Sequence, residues 1–224
     1  MTRRVTPIIT NQIYHIFNRG IASQPIFSSV YDYRRFIELV DYYRYTSPTL
    51  RFSFYRRLPD KEKQKYYFDM KKNKSPQIEI FAYCLMPNHY HFAIKELNEN
   101  GISKFIGNLQ NSYAKYFNIR NNRKGSLFSE MFKNVRVDKD EQFIHLVRYI
   151  HLNPLTSYII KKPEELDNYP WSSLPFYLFN SSSEFLERKL LLSYFKNIKE
   201  LDKFTKDQIG YQRQIHHLRY LTLE

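Results

Sequence analysis

The stretch CLMPNHYHFAI, residues 84 to 94, places a turn and two histidines inside an otherwise apolar, aromatic run. Pro87-Asn88 is typical of a tight turn, and the residues on either side have strand character. The pattern therefore predicts strands at 77–86 and 89–95, joined as an antiparallel hairpin. The rest of the predicted fold is arranged around this hairpin.

Strand geometry divides the second strand of the hairpin into two faces. Alternate residues point to the same side, so His89 and His91 share one face while Tyr90 and Phe92 share the other. The aromatic face is expected to be core. Two imidazoles on one face lie roughly 7 Å apart at Cβ, which is close enough to bind one metal ion. Histidines beside a turn are also common as hydrogen-bonded surface groups, so the pattern needs support from elsewhere in the chain.

Hydrophobic spacing on either side of the hairpin predicts the remaining elements. The order is β, α, β, β, α, β, α, which is typical of an α+β ferredoxin-like sandwich, an antiparallel sheet with helices on one face. The last predicted helix ends at Asn153 because proline follows. The flanking elements are a strand at 12–18, helices at 29–45 and 101–118, a strand at 134–137 and a helix at 139–153.

Residues 46–76 interrupt this pattern as an insertion. Nine basic and three acidic residues lie between Arg51 and Lys74, so about half of the net positive charge falls in this interval. Aromatic residues between basic ones suit a segment that closes on a nucleic-acid strand. A solvated insertion with no task of its own is the alternative. Beyond residue 180, we predict a helical and basic C-terminal extension, 181–224, separate from the main domain at 1–180.

Charge and composition restrict the class of partner and the compartment. Lys and Arg number 35 against 22 Asp and Glu, a net charge of +13, which favours a polyanion such as nucleic acid over an anionic membrane surface. The single cysteine, Cys84, excludes an internal disulfide and a cysteine-based zinc site. We expect a cytoplasmic protein with no membrane partner, because no apolar run is long enough to span a bilayer and the N-terminus lacks a secretory pattern.

The predicted helix at 139–153 offers further polar groups at helical spacing. Tyr149 and Asn153 are one turn apart on one face, so a phenol and an amide oxygen could both reach a metal held by the two histidines. Each also has a plain structural explanation, as a core-edge tyrosine and as a residue at a helix end. His145 lies one turn earlier and could contact a phosphate. Tyr113 is another tyrosine on a predicted helix, but its helical stripe of apolar neighbours favours core packing. His15 could line the site or be packed.

Four segments, in this order, carry a resemblance to a known family: YHIFNRG at 14–20, LMPNHYHFAI at 85–94, RYIHLNP at 148–154 and YPWSS at 169–173. Together they resemble the single-tyrosine HUH transposases of insertion sequences, which carry an IS200-like transposase domain. Within that superfamily the chain is most similar to the REP-associated tyrosine transposases. HUH denotes two histidines separated by a hydrophobic residue, a position occupied here by Tyr90.

The resemblance implies roles for particular residues. His89 and His91 would bind a divalent metal ion, Mg²⁺ or Mn²⁺, with Asn153 as third ligand and Tyr149 as nucleophile. His145 is a possible assisting group. The residues expected to contact DNA are Asn18, Arg19, Arg56, Arg57, Arg123, Lys124 and Arg148.

The implied activity is that of a metal-dependent DNA transposase. Such an enzyme nicks and rejoins single-stranded, hairpin-bearing DNA through a covalent 5′-phosphotyrosine intermediate. Two alternatives stay open from the residues: a non-catalytic nucleic-acid-binding protein that retains the fold, and a metal-dependent hydrolase that uses activated water. The oligomeric state is also open, with a monomer favoured over a dimer.

Overall fold

The computed structural model describes residues 7–46, 48–73, 75–181, 183, 185–207 and 209–210. Within them, four strands form one antiparallel sheet in the order β2-β3-β1-β4. The strands are β1 Ile13–Arg19, β2 Ile78–Met86, β3 His89–Glu96 and β4 Lys133–Val137. The helices are α1 Val30–Tyr43, α2 Phe52–Tyr55, α3 Asp60–Asn73, α4 Gly101–Arg120, α5 Asp140–Thr156, α6 Leu174–Leu178, α7 Lys189–Leu192 and α8 Ile198–Lys206. Short 3₁₀ turns occupy 21–23 and 163–168.

This arrangement confirms the predicted ferredoxin-like α+β class, but helices cover both faces of the sheet rather than the one face that was predicted. The hairpin β2–β3 forms as expected, and β3 lies between β2 and β1 near the centre of the sheet. His91 is opposite Phe17 on β1 and Cys84 on β2. A bulge at Phe81 shifts the register of β2, so that Ile80 pairs with Ile94 while Ala82 pairs with Ala93.

Helices α1 and α4 cover the aromatic face of the sheet. The ring of Phe36, on α1, lies 5.3 Å from that of Tyr90, and Gln110 Nε2, on α4, donates to the Tyr90 hydroxyl at 2.9 Å. Tyr113 is fully buried, packs against Phe36, and donates its hydroxyl hydrogen to the Ile26 carbonyl oxygen. This burial confirms the predicted core position of Tyr113. Removing aromatic surface from water in this way is a main favourable contribution to folding.

Helix α5 packs on the opposite face of the sheet, through contacts such as Phe143 against Phe81 with ring centroids 5.2 Å apart. The prediction that α5 ends at Asn153 is wrong, because the helix continues through Pro154 to Thr156. Proline removes one helical hydrogen bond at this position, because it has no backbone N–H. Its carbonyl oxygen accepts from the backbone amides of Ile159 and Ile160 at 2.9 and 3.1 Å, which closes the end of the helix.

The insertion folds as α2 and α3 and docks on α1. The ring of Tyr42, on α1, lies 5.1 Å from that of Phe52 and 6.4 Å from that of Tyr66. Most of the inserted aromatic rings are therefore used in packing, although Phe54 and Phe68 are 53% and 64% exposed. The expected closure of this segment on nucleic acid stays a prediction.

The described part of the C-terminal extension packs against the sheet and α5. Leu186 forms a bridge with Ile80, and the Arg148 guanidinium lies 4.3 Å above the ring centroid of Phe204. Helices α7 and α8 agree with the predicted helical character of this extension, while its basic end at 211–224 lies outside the described residues. No helix within the described residues combines the length and the apolar character that a membrane span requires.

Candidate active site

Strand β3 presents both predicted histidines on the sheet face that α5 covers. His91 is 6% exposed, whereas His89 is partly exposed at the start of the strand. Their rings meet edge to face, with centroids 5.0 Å apart. Arg19, at the end of β1, is directly opposite His89 in the register and is exposed. The site therefore combines two imidazoles with an adjacent cation at the rim.

His15 completes a cluster of three imidazoles. Its Nε2 lies 2.9 Å from His91 Nδ1, and the two rings stack with centroids 5.1 Å apart. The sequence left the position of His15 open between the site and a packed position. A usable signal was present: Tyr14 and Ile16 are core residues, so strand alternation turns His15 to the histidine face. Ala93, opposite His15 in the register, leaves room for its ring.

Tyr149, on α5, reaches the same cluster from above the sheet. Its ring lies edge-on to His91 and His15, with centroid distances of 5.7 and 5.8 Å. The two halves of the predicted site, on β3 and on α5, are thus adjacent in the folded chain. A phenol is positioned against two imidazoles, which is an arrangement able to orient a nucleophile beside a metal site.

Burial keeps the inner histidines neutral at physiological pH. The pKa of His91 lies well below its usual value, first because of burial and then because of the neighbouring His89, His15 and Arg19. Burial also lowers the pKa of His15 to about 4. Neutral imidazoles have a lone pair on one nitrogen, and metal binding requires that form.

The hydrogen bonds on Nδ1 place the lone pair of both predicted ligands on Nε2. His89 Nδ1 lies 2.6 Å from Asn88 Oδ1, an acceptor, so Nδ1 carries the hydrogen and Nε2 keeps its lone pair. His91 Nε2 likewise keeps its lone pair when the His91 Nδ1–H donates to His15 Nε2. Histidines that bind metals commonly donate their other N–H to such an oriented partner. This pair therefore fits a divalent ion.

The remaining ligands of such an ion would be oxygen atoms. Within the described part of the chain, no group of three or more His, Cys, Asp or Glu side chains is arranged to hold a metal. Asn153 is 2% exposed, and its Nδ2 donates to the Tyr149 carbonyl oxygen at 3.2 Å, which leaves Oδ1 as its candidate ligand atom. Its role as third ligand stays a prediction. Nitrogen and oxygen donors together suit Mn²⁺ or Mg²⁺.

Two of the predicted DNA contacts lie at the end of β1 but on different faces. Arg19 shares the histidine face, where a guanidinium could meet a phosphate. Asn18 is buried on the other face, where its Nδ2 donates to the Glu130 carbonyl oxygen at 3.0 Å and its Oδ1 accepts from the Arg19 amide. The Asn18 side chain thus fastens β1 to the loop before β4.

Arg148 and His145 lie on the side of α5 that meets α8. Arg148 is buried beneath Phe204 and donates to the Phe204 carbonyl oxygen at 3.3 Å. His145 is exposed, with its ring 5.6 Å from that of Phe204. Burial of Arg148 gives it a packing function that its sequence position did not reveal.

The other predicted DNA contacts lie outside the histidine cluster. Arg56 Nη1 donates to both carboxylate oxygens of Glu38, at 2.9 and 2.8 Å, and this ion pair offsets its charge. Arg123 donates to Gln24 Oε1 at 3.0 Å, and Lys124 beside it is exposed. Arg57 lines a groove between α2 and α4.

Comparison with known proteins finds one family that matches part of the chain. Residues 50–153 match the family described as Transposase IS200 like. The match covers slightly less than half of the chain, so it is this part that is similar to the IS200-like transposases. The matched range contains both predicted histidine ligands, the predicted tyrosine and Asn153, and it begins after Asn18 and Arg19.

A solved structure shares the fold. It is described as the REP-associated tyrosine transposase bound to a REP hairpin, with a TM-score of 0.52 over 84% of this chain and 98% of that one. Sequence identity is 14%, so this likeness concerns the fold. No curated protein matches the chain significantly. The predicted resemblance to the IS200-like transposases is thus confirmed for residues 50–153, and the resemblance to a REP-associated transposase is confirmed at the level of the fold.

Proposed function

We propose that this chain cleaves and rejoins single-stranded DNA, with Tyr149 as the nucleophile. The observation that carries the proposal is the contact of the Tyr149 ring with His91 and His15, which unites two segments distant in sequence. The similarity of residues 50–153 to the IS200-like transposases supports DNA as the substrate, and the net charge of +13 supports a polyanionic one.

The proposed step is a transesterification at phosphorus. The Tyr149 phenol loses its proton and its oxygen forms a bond to phosphorus while the bond to the 3′ oxygen breaks. The DNA 5′ phosphate becomes esterified to tyrosine, and the departing 3′ oxygen takes up a proton to give a free 3′-OH. One phosphate ester replaces another, so the reverse attack by a 3′-OH rejoins DNA without ATP.

The residues around Tyr149 would orient the phenol and the phosphate. The neutral rings of His91 and His15 hold the tyrosine ring edge-on, and Arg19 offers a guanidinium at the rim for a phosphate oxygen. His89, His91 and Asn153 would hold the divalent ion. A bound Mg²⁺ or Mn²⁺ would supply Lewis-acid stabilisation of charge on the phosphate and on the departing oxygen.

Hairpin-bearing DNA is the proposed form of the substrate. The similar solved structure, a REP-associated tyrosine transposase, is described as bound to a REP hairpin. A folded stem beside a single-stranded flank would provide both a rigid handle and an accessible phosphodiester.

The test is whether the protein forms a covalent adduct with DNA, and the position of a label at the 3′ or the 5′ end of the DNA shows which fragment is attached. We expect 3′-labelled DNA to remain attached to the denatured protein and 5′-labelled DNA to be released with a 3′-OH, in the presence of Mn²⁺ or Mg²⁺ but not of EDTA. Tyr149→Phe should form no adduct. Tyr31→Phe is the matched control, because Tyr31 is 68% exposed on α1, and it should retain the adduct.

Three other results would contradict the proposal in different ways. An equal adduct in Tyr149→Phe would show that another residue is the nucleophile. Cleavage that survives Tyr149→Phe without any adduct would identify a hydrolase that uses activated water. Salt-sensitive DNA binding without cleavage on any hairpin substrate would favour the non-catalytic binding protein.

A further inference from the structure

A groove lined by several basic residues lies between α2 and α4. It has a volume of about 690 Å³. The basic residues that line it come from α1, α4 and the insertion, and no Asp or Glu is among its described lining residues. They are Arg35, Arg51, Arg57, Lys115 and Arg120. So many cations in one concave surface produce a strong positive potential.

The sheet separates this groove from the histidine cluster. Helix α4 lies on the aromatic face, where Phe105 contacts Phe92 with ring centroids 6.3 Å apart. Tyr149 lies on the other face, against His91. Because His91 and Phe92 are neighbours in one strand, they point to opposite sides. The groove is therefore a distinct surface from the proposed active site.

Contacts within the fold engage the aromatic rings of the groove and two of its arginine side chains. The Arg35 guanidinium lies between two rings, 5.3 Å from the centroid of Phe52 and 4.6 Å from that of Tyr116. Arg120 donates to Asp32 Oδ1 at 2.8 Å, so its charge is partly balanced inside the fold. The rings are occupied by these contacts, which makes base stacking in the groove unfavourable.

Other cations of the groove are available to a ligand. Arg51 and Lys115 are exposed and form no ion pair with any residue in the part of the chain that the structure describes. Asn108, Asn111 and Ser112, on α4, add neutral hydrogen-bonding groups between them. Cations with interspersed amides and a hydroxyl form a surface suited to a series of phosphate groups rather than to a planar base.

We propose that this groove binds the phosphate backbone of DNA independently of its sequence, as a second contact on the side of the sheet away from Tyr149. Only the choice of DNA as the polymer rests on the proposed function. The groove itself requires neither a metal ion nor the tyrosine. DNA held there would extend around the domain, so that one molecule contacts both faces of the sheet.

The test is the salt dependence of binding in EDTA, where no cleavage interferes. We would measure the fluorescence anisotropy of labelled hairpin DNA with the wild type, with Arg51→Gln/Lys115→Gln and with Lys196→Gln/Lys199→Gln. The control pair removes two exposed charges near and within α8. Each lost phosphate contact removes about 0.7 to 0.9 from the slope of log K against log salt. The groove variant should therefore lose about 1.4 to 1.8 in slope and bind roughly 20- to 60-fold more weakly at about 0.1 M salt.

The outcomes separate this proposal from the proposed function. A groove variant that binds DNA with the slope of the control pair would overturn the groove assignment, whether or not an adduct forms. Weakened binding in the groove variant would sustain it even if wild type never forms an adduct, a result that would count only against the proposed function. If the variant lost affinity for anionic lipid vesicles but not for DNA, the groove would be a membrane contact instead.

Discussion

Lowering the pH from 7 to 5 is expected to destabilise the fold through His151, a residue outside the proposed chemistry. His151 lies on α5, is fully buried, and its Nε2 is 2.8 Å from Ser173 Oγ. Its Nδ1 is buried and has no hydrogen-bond partner among the described residues. Burial lowers the pKa of His151 to about 3, from an ordinary value of 6.5. The folded chain therefore keeps this imidazole neutral.

The direction follows from proton uptake. Between pH 6.5 and about 3 the unfolded chain binds a proton at His151 and the folded chain does not, so the free energy of unfolding falls as the pH falls. A pH of 5 lies about 1.5 units below the ordinary pKa of 6.5 that His151 has in the unfolded chain. At about 1.36 kcal/mol per unit, proton binding by the unfolded chain lowers the free energy of unfolding by about 2 kcal/mol. A chain of this size should lose roughly 4–8 °C in Tm from that amount.

The assay is urea denaturation of wild type and His151→Gln at pH 7 and pH 5. Glutamine can retain a hydrogen bond to Ser173 but does not titrate. We expect wild type to lose about 2 kcal/mol more than His151→Gln between the two pH values. His145→Gln, an exposed position on the same helix, is the control and should follow wild type. If His151→Gln lost as much stability as wild type, His151 would not be the acid-sensitive group.

Two further pairs of substitutions test the packing. Gly101→Ala should destabilise by about 1–3 kcal/mol, because a Cβ there would lie 2.5 Å from a backbone carbonyl oxygen, whereas Gly107→Ala in the same helix meets nothing within 4 Å and should stabilise by about 0.5–1 kcal/mol. Equal effects in urea denaturation would refute this contrast. Asp32→Asn should cost about 1–3 kcal/mol, because Asp32 is 1% exposed and accepts from the Ser28 amide at 2.9 Å. Glu38 is about half exposed, so Glu38→Gln should cost less stability than Asp32→Asn. A larger loss of stability in Glu38→Gln would contradict the argument from burial.

The order of strands and helices followed from local patterns in the sequence. The alternation in HYHFAIK placed His89 and His91 on one face because strand periodicity is a local property of the backbone. Helical spacing likewise identified α1, α4 and α5 and the burial of Tyr113. The family segments named His89, His91, Tyr149 and Asn153 as a set, and the fold confirms the contact between Tyr149 and His91.

These local patterns did not predict the contacts between elements that are distant in the sequence. His15 joins the cluster because the β1–β3 register sets it beside His91. Arg148 reads as a surface cation but is buried because α8 covers it, and α5 continues past Pro154 because a later turn satisfies its carbonyl. The basic groove arises only where the insertion meets α4. The amino-acid sequence by itself determined the elements and their faces, whereas register and packing between elements decided which side chains meet, since those depend on the whole chain's burial of its apolar surface.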